Sequence, residues 1–108
     1  MENTLREVCT AVNVSRRAVQ GYEKAGLVSA TGHNNRGYLL YDEDAQKRIA
    51  DIRMYQDFGF SIKEIVQIID APDEVLKAAL VNQLKRLKER QSERELVIQR
   101  MCHLIQRL

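Results

Sequence analysis

From Asp73 to Leu108 the chain contains neither glycine nor proline. With Pro72 at its start, that stretch predicts one helix of about 37 residues, some 55 Å long at 1.5 Å per residue. A single small globule cannot cover a rod of that length. Its apolar positions recur in alternating steps of four and three: Leu80, Leu84, Leu87, then Ile98, Met101, Ile105 and Leu108. Gln91 and Arg94 occupy the same register, so the seam is apolar at both ends and polar in the middle. A heptad seam needs a partner helix. Two copies pairing antiparallel about a twofold axis would bring Gln91 and Arg94 close to their own copies. Polar residues there set the register at some cost in stability. The nine positions from Leu80 to Leu108 are thus the expected interface of a homodimer. The alternative is a turn at Gln91-Ser92 that folds the segment into a helical hairpin, but no glycine or proline marks it.

The preceding 70 residues read as short elements with local start and stop signals. Thr4-Leu5-Arg6-Glu7 is a capping box and opens a first helix that runs to about Val12. Asn13 tolerates the left-handed backbone of a tight turn. Ser15 then caps a second helix, which Gly26 closes. Two short helices joined in this way are a helix-turn-helix. Val28 to Tyr41, with its polar centre from Thr31 to Gly37, predicts a β-hairpin. Asp42 caps a third helix ending near Phe58 and Gly59. Ser61 to Glu64 is a second capping box and opens a fourth helix, which ends near Ile69 or Asp70. Pro72 suits the first turn of the fifth. The expected fold is mainly α: a winged helix-turn-helix with a small β-hairpin wing, two further helices and a long C-terminal coiled-coil helix. The chain divides into two expected domains, residues 1–70 and residues 71–108.

Composition removes several function classes. No apolar run is long enough to span a bilayer, and Met1 to Arg6 lacks the apolar core of a signal peptide. Cys9 and Cys102 lie far apart and form no CxxC pair, which fits a reduced cytoplasmic protein. No phosphate-binding glycine loop or serine–histidine–acid pattern is present, so an enzyme is not expected. Cys102-His103 supplies too few ligands to close a metal site. Neither metal nor cofactor is expected.

The second helix carries the chemistry. Val14, Ala18, Tyr22 and Ala25 form its expected buried stripe. Arg16, Arg17, Gln20 and Lys24 then lie on the opposite side, with Glu23. Arginine reads guanine bidentately or holds a phosphate, glutamine pairs with adenine, and lysine neutralises phosphate. Gly21, on the flank, costs the helix roughly 1 kcal/mol relative to alanine. A missing side chain there lets the helix sit closer to a sugar-phosphate strand or to the protein's own wing. The hairpin loop, His33 to Arg36, is polar and positively charged, and suits the flanking backbone or minor groove.

The stretches VSRRAVQGYEKAGLV, RGYLLYDED and IRMYQDFGFSIKEI resemble the MerR-family transcription regulators. The likeness covers Thr4 to about Asp70, and the order of elements extends it to the C-terminus. It implies a homodimer held by an antiparallel coiled coil and bound to pseudo-palindromic promoter DNA. Such regulators distort an overlong promoter spacer so that RNA polymerase holoenzyme engages both promoter elements. Ser15, Arg16 and Arg17 match the start of the family's recognition helix. Tyr22 matches a tyrosine whose phenol meets phosphate. Gln20 and Gly21 replace an arginine and a tyrosine of the pattern, and Leu39 replaces an arginine of the wing. The expected DNA-binding set is Ser15, Arg16, Arg17, Gln20, Tyr22, Lys24, Asn35, Arg36 and Tyr38. The rival readings are an architectural, excisionase-like DNA binder and a protein–protein adaptor that works through its coiled coil.

Overall fold

The computed structural model describes every residue from Met1 to Leu108. The chain forms two compact units, Met1–Asp70 and Ala71–Leu108. Its elements are β1 (Asn3–Thr4), α1 (Leu5–Val12), α2 (Arg16–Lys24), β2 (Gly32–His33), β3 (Leu39–Tyr41), α3 (Glu43–Asp57), α4 (Ile62–Ile68) and α5 (Asp73–Arg107).

Four helices start where side chains satisfy orphan backbone N–H groups. In α1 the Thr4 hydroxyl accepts from the Glu7 N–H, and the Glu7 carboxylate accepts from the Thr4 N–H. These bonds hold the Glu7 carboxyl below its usual range. Ser15, Asp42 and Ser61 cap α2, α3 and α4 in the same way, with Glu64 completing the second capping box. Two helices stop at glycines with positive φ. After α2, the Gly26 N–H reaches the Glu23 carbonyl and the Leu27 N–H reaches that of Tyr22. Gly59 and Phe60 repeat the pattern after α3, bonding to Gln56 and Tyr55. Both are Schellman closures, which need the left-handed conformation that glycine adopts freely.

The sheet differs from the expected hairpin in two respects. Its strand order is β1-β3-β2, all antiparallel, with Asn3 opposite Tyr41 and Gly32 opposite Leu40. The N-terminal strand β1 was not anticipated, because two residues carry no periodicity. Strand β2 lies inside the expected loop, so the wing turn is tighter than the sequence suggests. The Asn34 side chain explains the tightening: its carbonyl accepts from the Arg36 and Tyr38 N–H groups. Gly37, at φ 78°, completes the reversal.

The core of the first unit is built from Val8, Val19, Tyr22, Tyr41, Ile49, Ile52 and Ile65, none with more than 1% exposure. Val19 corrects the expected stripe on α2. It is fully buried, whereas Val14, Ala18 and Ala25 are half-buried. The stripe is therefore centred on Val19 and Tyr22. Arg48 ties distant segments to α3: its Nε donates to the Leu27 carbonyl at 2.8 Å, and its two terminal nitrogens grip Asp70 at 2.6 and 2.7 Å. That guanidinium holds the Asp70 carboxyl below its ordinary range.

In the second unit α5 is continuous, so the hairpin alternative at Gln91-Ser92 does not occur. Pro72 stands one place before the first turn, as the N-cap. Leu80 is half-buried and Gln83 buried, but every residue from Leu84 to Leu108 is exposed.

Candidate nucleic-acid interface

Helix α2 divides cleanly by angle. At 3.6 residues per turn, Arg16, Gln20, Lys24, Arg17 and Gly21 fall within an arc of about 140°. All five are exposed. The remaining arc carries Val19 and Tyr22 into the core. The side chains that suit a groove are thus presented together by a helix whose other side is clamped.

Two tyrosines supply the clamp, and one of them corrects an expectation. Tyr22 is 1% exposed, and its hydroxyl donates to Gln56 Oε1 on α3 at 2.5 Å. Its ring belongs to the core, and burial raises its phenol pKa. In this structure the Tyr22 phenol is committed to Gln56 rather than presented to a phosphate. Tyr41, at the end of β3, is fully buried and donates to the Glu23 carboxylate. Burial, reinforced by that carboxylate, pushes its pKa upward. Glu23 is therefore a half-buried acceptor that joins α2 to the wing, not a member of the solvated face.

The other predicted residues occupy three places. Ser15 is the cap of α2, its Oγ accepting from the Ala18 N–H at 3.0 Å. Asn35 and Arg36 are exposed at the tip of the wing, and Tyr38 is exposed where the chain leaves it. Arg16 and Tyr38 meet in a cleft of about 620 Å³ between the start of α1, the start of α2 and the wing turn. Lys24 lies at the far end of α2, about 12 Å along the axis from Arg16.

Arg6 also lines this cleft and was absent from the expected set. The signal was present in the sequence, since a basic residue at the second position of α1 points near its N-terminus. Its neighbour in space, Arg16, is ten positions away, and only the fold joins them.

Pairing separates these cations from those of α3. Arg6, Arg16, Arg17, Lys24 and Arg36 take part in none of the chain's ion pairs, whereas Lys47, Arg48 and Arg53 on α3 each face an aspartate. Residues 1–41 carry five Lys and Arg against three Asp and Glu, while residues 42–70 carry four against seven. Within the first unit, positive charge is thus concentrated on the helix-turn-helix and wing, while residues 71–108 carry eight Lys and Arg against five Asp and Glu. A near-neutral total hides this polarity.

Residues 4–72 match the family described as MerR HTH family regulatory protein. The chain belongs to the MerR family. Among curated MerR-type relatives, the HTH-type transcriptional activator mta of Bacillus subtilis is 27% identical over 99 residues, covering 92% of this chain and 38% of that protein. The nodulation protein NolA of Bradyrhizobium sp. (strain NC92) is 33% identical over 64 residues, covering 59% of this chain and 27% of that protein. The chain thus spans well under half the length of these relatives. Two crystal structures share its architecture. A MerR-family transcriptional regulator from Bacillus cereus superposes with a TM-score of 0.79 at 26% identity, over 94% of this chain and 78% of that one. The N-terminal part of the Bacillus subtilis multidrug transporter activator, MtaN, gives 0.77 at 25% identity, over 95% and 97%. HiNmlR, described as a MerR-family regulator lacking the sensor domain and bound to promoter DNA, shares the fold at 0.69 and 20% identity.

Gly21 stands at the edge of the exposed arc of α2. A Cβ built on Gly21 meets no atom within 4 Å. Nothing within the chain, its own wing included, therefore requires a glycine there. Gly21→Ala should raise stability by about 1 kcal/mol, read from the urea midpoint, and should weaken duplex binding. Unchanged affinity would remove the close-approach account.

Proposed function

We propose that this chain is a sequence-specific, double-stranded DNA-binding transcription regulator that acts on promoter DNA as a homodimer in the cytoplasm. The observation that carries the reading is the coincidence of an exposed basic arc on a clamped helix with a wing beside it, both free of counter-ions. Unpaired cations gathered on one side of a small unit are poised to exchange small ions for phosphates. One relative named above is a transcriptional activator, and one structural neighbour is described as bound to promoter DNA. Both lend support. The chain's own groups perform two tasks. Arg17, Gln20 and Lys24 face the groove, while Arg16, Arg36 and Tyr38 flank it and hold the register on the backbone.

Dimerisation has a separate support. The exposed seam of α5 leaves Leu84, Leu87, Ile98, Met101, Ile105 and Leu108 in water, and burying them against a second copy removes that cost. Two copies would place two basic units on two half-sites of a pseudo-palindrome. RNA polymerase holoenzyme is the further partner that a promoter-bound regulator serves. No helix of the chain is long and apolar enough to cross a membrane.

The test is binding to duplexes enriched by the chain from a random pool, followed over a range of salt. Each neutralised phosphate contributes about −0.9 to the slope of log affinity against log salt. With Arg16, Arg17, Lys24 and Arg36 all on phosphates, the expected slope is about −3.6 per protomer. A slope near zero, or no enrichment, would overturn the reading in favour of an adaptor. Footprinting beside the chain's own coding region then locates a natural site.

A further inference from the structure

We infer that Arg6 is a DNA-backbone anchor, holding a phosphodiester in the cleft between α1 and the wing turn. This rests on the DNA-binding reading above and adds to it a contact outside the recognition helix. The cleft is walled by Leu5 and Arg6 from α1, by Arg16 from α2, and by Gly37, Tyr38 and Leu39 from the wing. Two guanidinium groups therefore share one concavity, and no carboxylate lines it. The nearest acid in sequence, Glu7, is occupied by the Thr4 N–H and hydroxyl. An anion entering the cleft therefore meets two cationic side chains and no opposing carboxylate. Neither arginine is held by an ion pair within the chain.

The shape selects a backbone phosphate over a base edge. Three separate elements meet at the cleft, so a strand lying in it is gripped from α1, from the start of α2 and from the wing. Tyr38, 58% exposed, offers a phenol for the same strand. Leu39 lies on the wing wall and offers no charge, which leaves Arg6 as the cation on the side of α1 facing it. Contacts of this kind fix position without reading sequence.

The experiment compares the full chain with Arg6→Ala, and with Arg6→Ala combined with Leu39→Arg, on one duplex enriched by the unaltered chain. Loss of one phosphate contact in each protomer lowers the affinity of the dimer roughly 60-fold at 0.1 M salt, about eightfold per protomer, and makes the slope shallower by about 0.9 per protomer. The loss should be equal on enriched and unrelated duplexes. Leu39→Arg, which returns a guanidinium to the same cleft from its other wall, should restore the slope. A scan of single methylphosphonate substitutions should find one linkage whose neutralisation weakens the unaltered chain and leaves Arg6→Ala unaffected. If the unaltered chain binds duplex and Arg6→Ala binds with the same affinity and slope, the anchor is refuted and the DNA reading stands. If the unaltered chain binds no duplex, both fall. A melting curve of Arg6→Ala separates these outcomes from misfolding, because the Arg6 side chain is exposed and takes part in no ion pair.

Discussion

Replacing Arg16 and Arg17 together by alanine is expected to lower duplex affinity by roughly 60-fold for each protomer engaged at 0.1 M salt. The figure follows from two phosphate contacts at about eightfold each under the counter-ion slope. Should one of the pair read guanine instead, its share becomes a loss of about 1–3 kcal/mol confined to one base step. The enriched and unrelated duplexes then lose unequally. Neither arginine takes part in an ion pair, and both are exposed. The double variant should therefore melt within about 0.5 kcal/mol of the unaltered chain. Fluorescence anisotropy over a range of salt measures both the affinity and the slope. A loss below threefold with an unchanged slope would show that the basic arc of α2 is not the contact surface.

The second large effect concerns the rod. Ile98→Asp with Ile105→Asp is expected to convert the dimer into single chains of 12.5 kDa, read by sedimentation. Each substitution places a carboxylate in the seam and, by symmetry, acts twice per dimer. Removing one buried isoleucine from a packed interface already costs about 2–5 kcal/mol, and burying an unpaired charge costs more. DNA binding should weaken sharply in the same variant, since one half-site retains only half of the contacts. Secondary structure within residues 1–70 should persist, because its core is closed without α5 seam residues. An unaltered chain that sediments as a monomer at binding concentrations removes the proposal outright. Orientation has its own reading. With Gln91 and Arg94 near the axis, the two Cys102 thiols stand roughly 30 Å apart in an antiparallel pair. Mild oxidation should then leave them unlinked in a Cys9→Ala background, whereas a parallel pair would join them.

The charge distribution explains why the chain's total charge of +2 is a poor guide to its partner. Three of the four cations of residues 42–70 are paired within that segment: Lys47 with Asp51, Arg48 with Asp70 and Arg53 with Asp57. The basic groups of α1, α2 and the wing have no such outlet. Function follows from where pairing stops, not from the sum.

What could be read along the chain was whatever depends on neighbours within about four residues. Thr4, Ser15, Asp42 and Ser61 announce helix starts because a cap hydroxyl or carboxylate bonds N–H groups two or three residues on. Gly26 and Gly59 announce stops because only glycine takes positive φ without strain there. The unbroken run of α5 is equally local, and so is its seam. Tertiary structure alone decided the rest. It turned Val19 into the core, committed Tyr22 to Gln56 and Glu23 to Tyr41, added β1 to the sheet, and set Arg6 beside Arg16. Each of these links residues between 10 and about 40 positions apart. A helical period cannot say which flank of a narrow helix is covered, nor which distant hydroxyl finds which acceptor, because both depend on the packing partner.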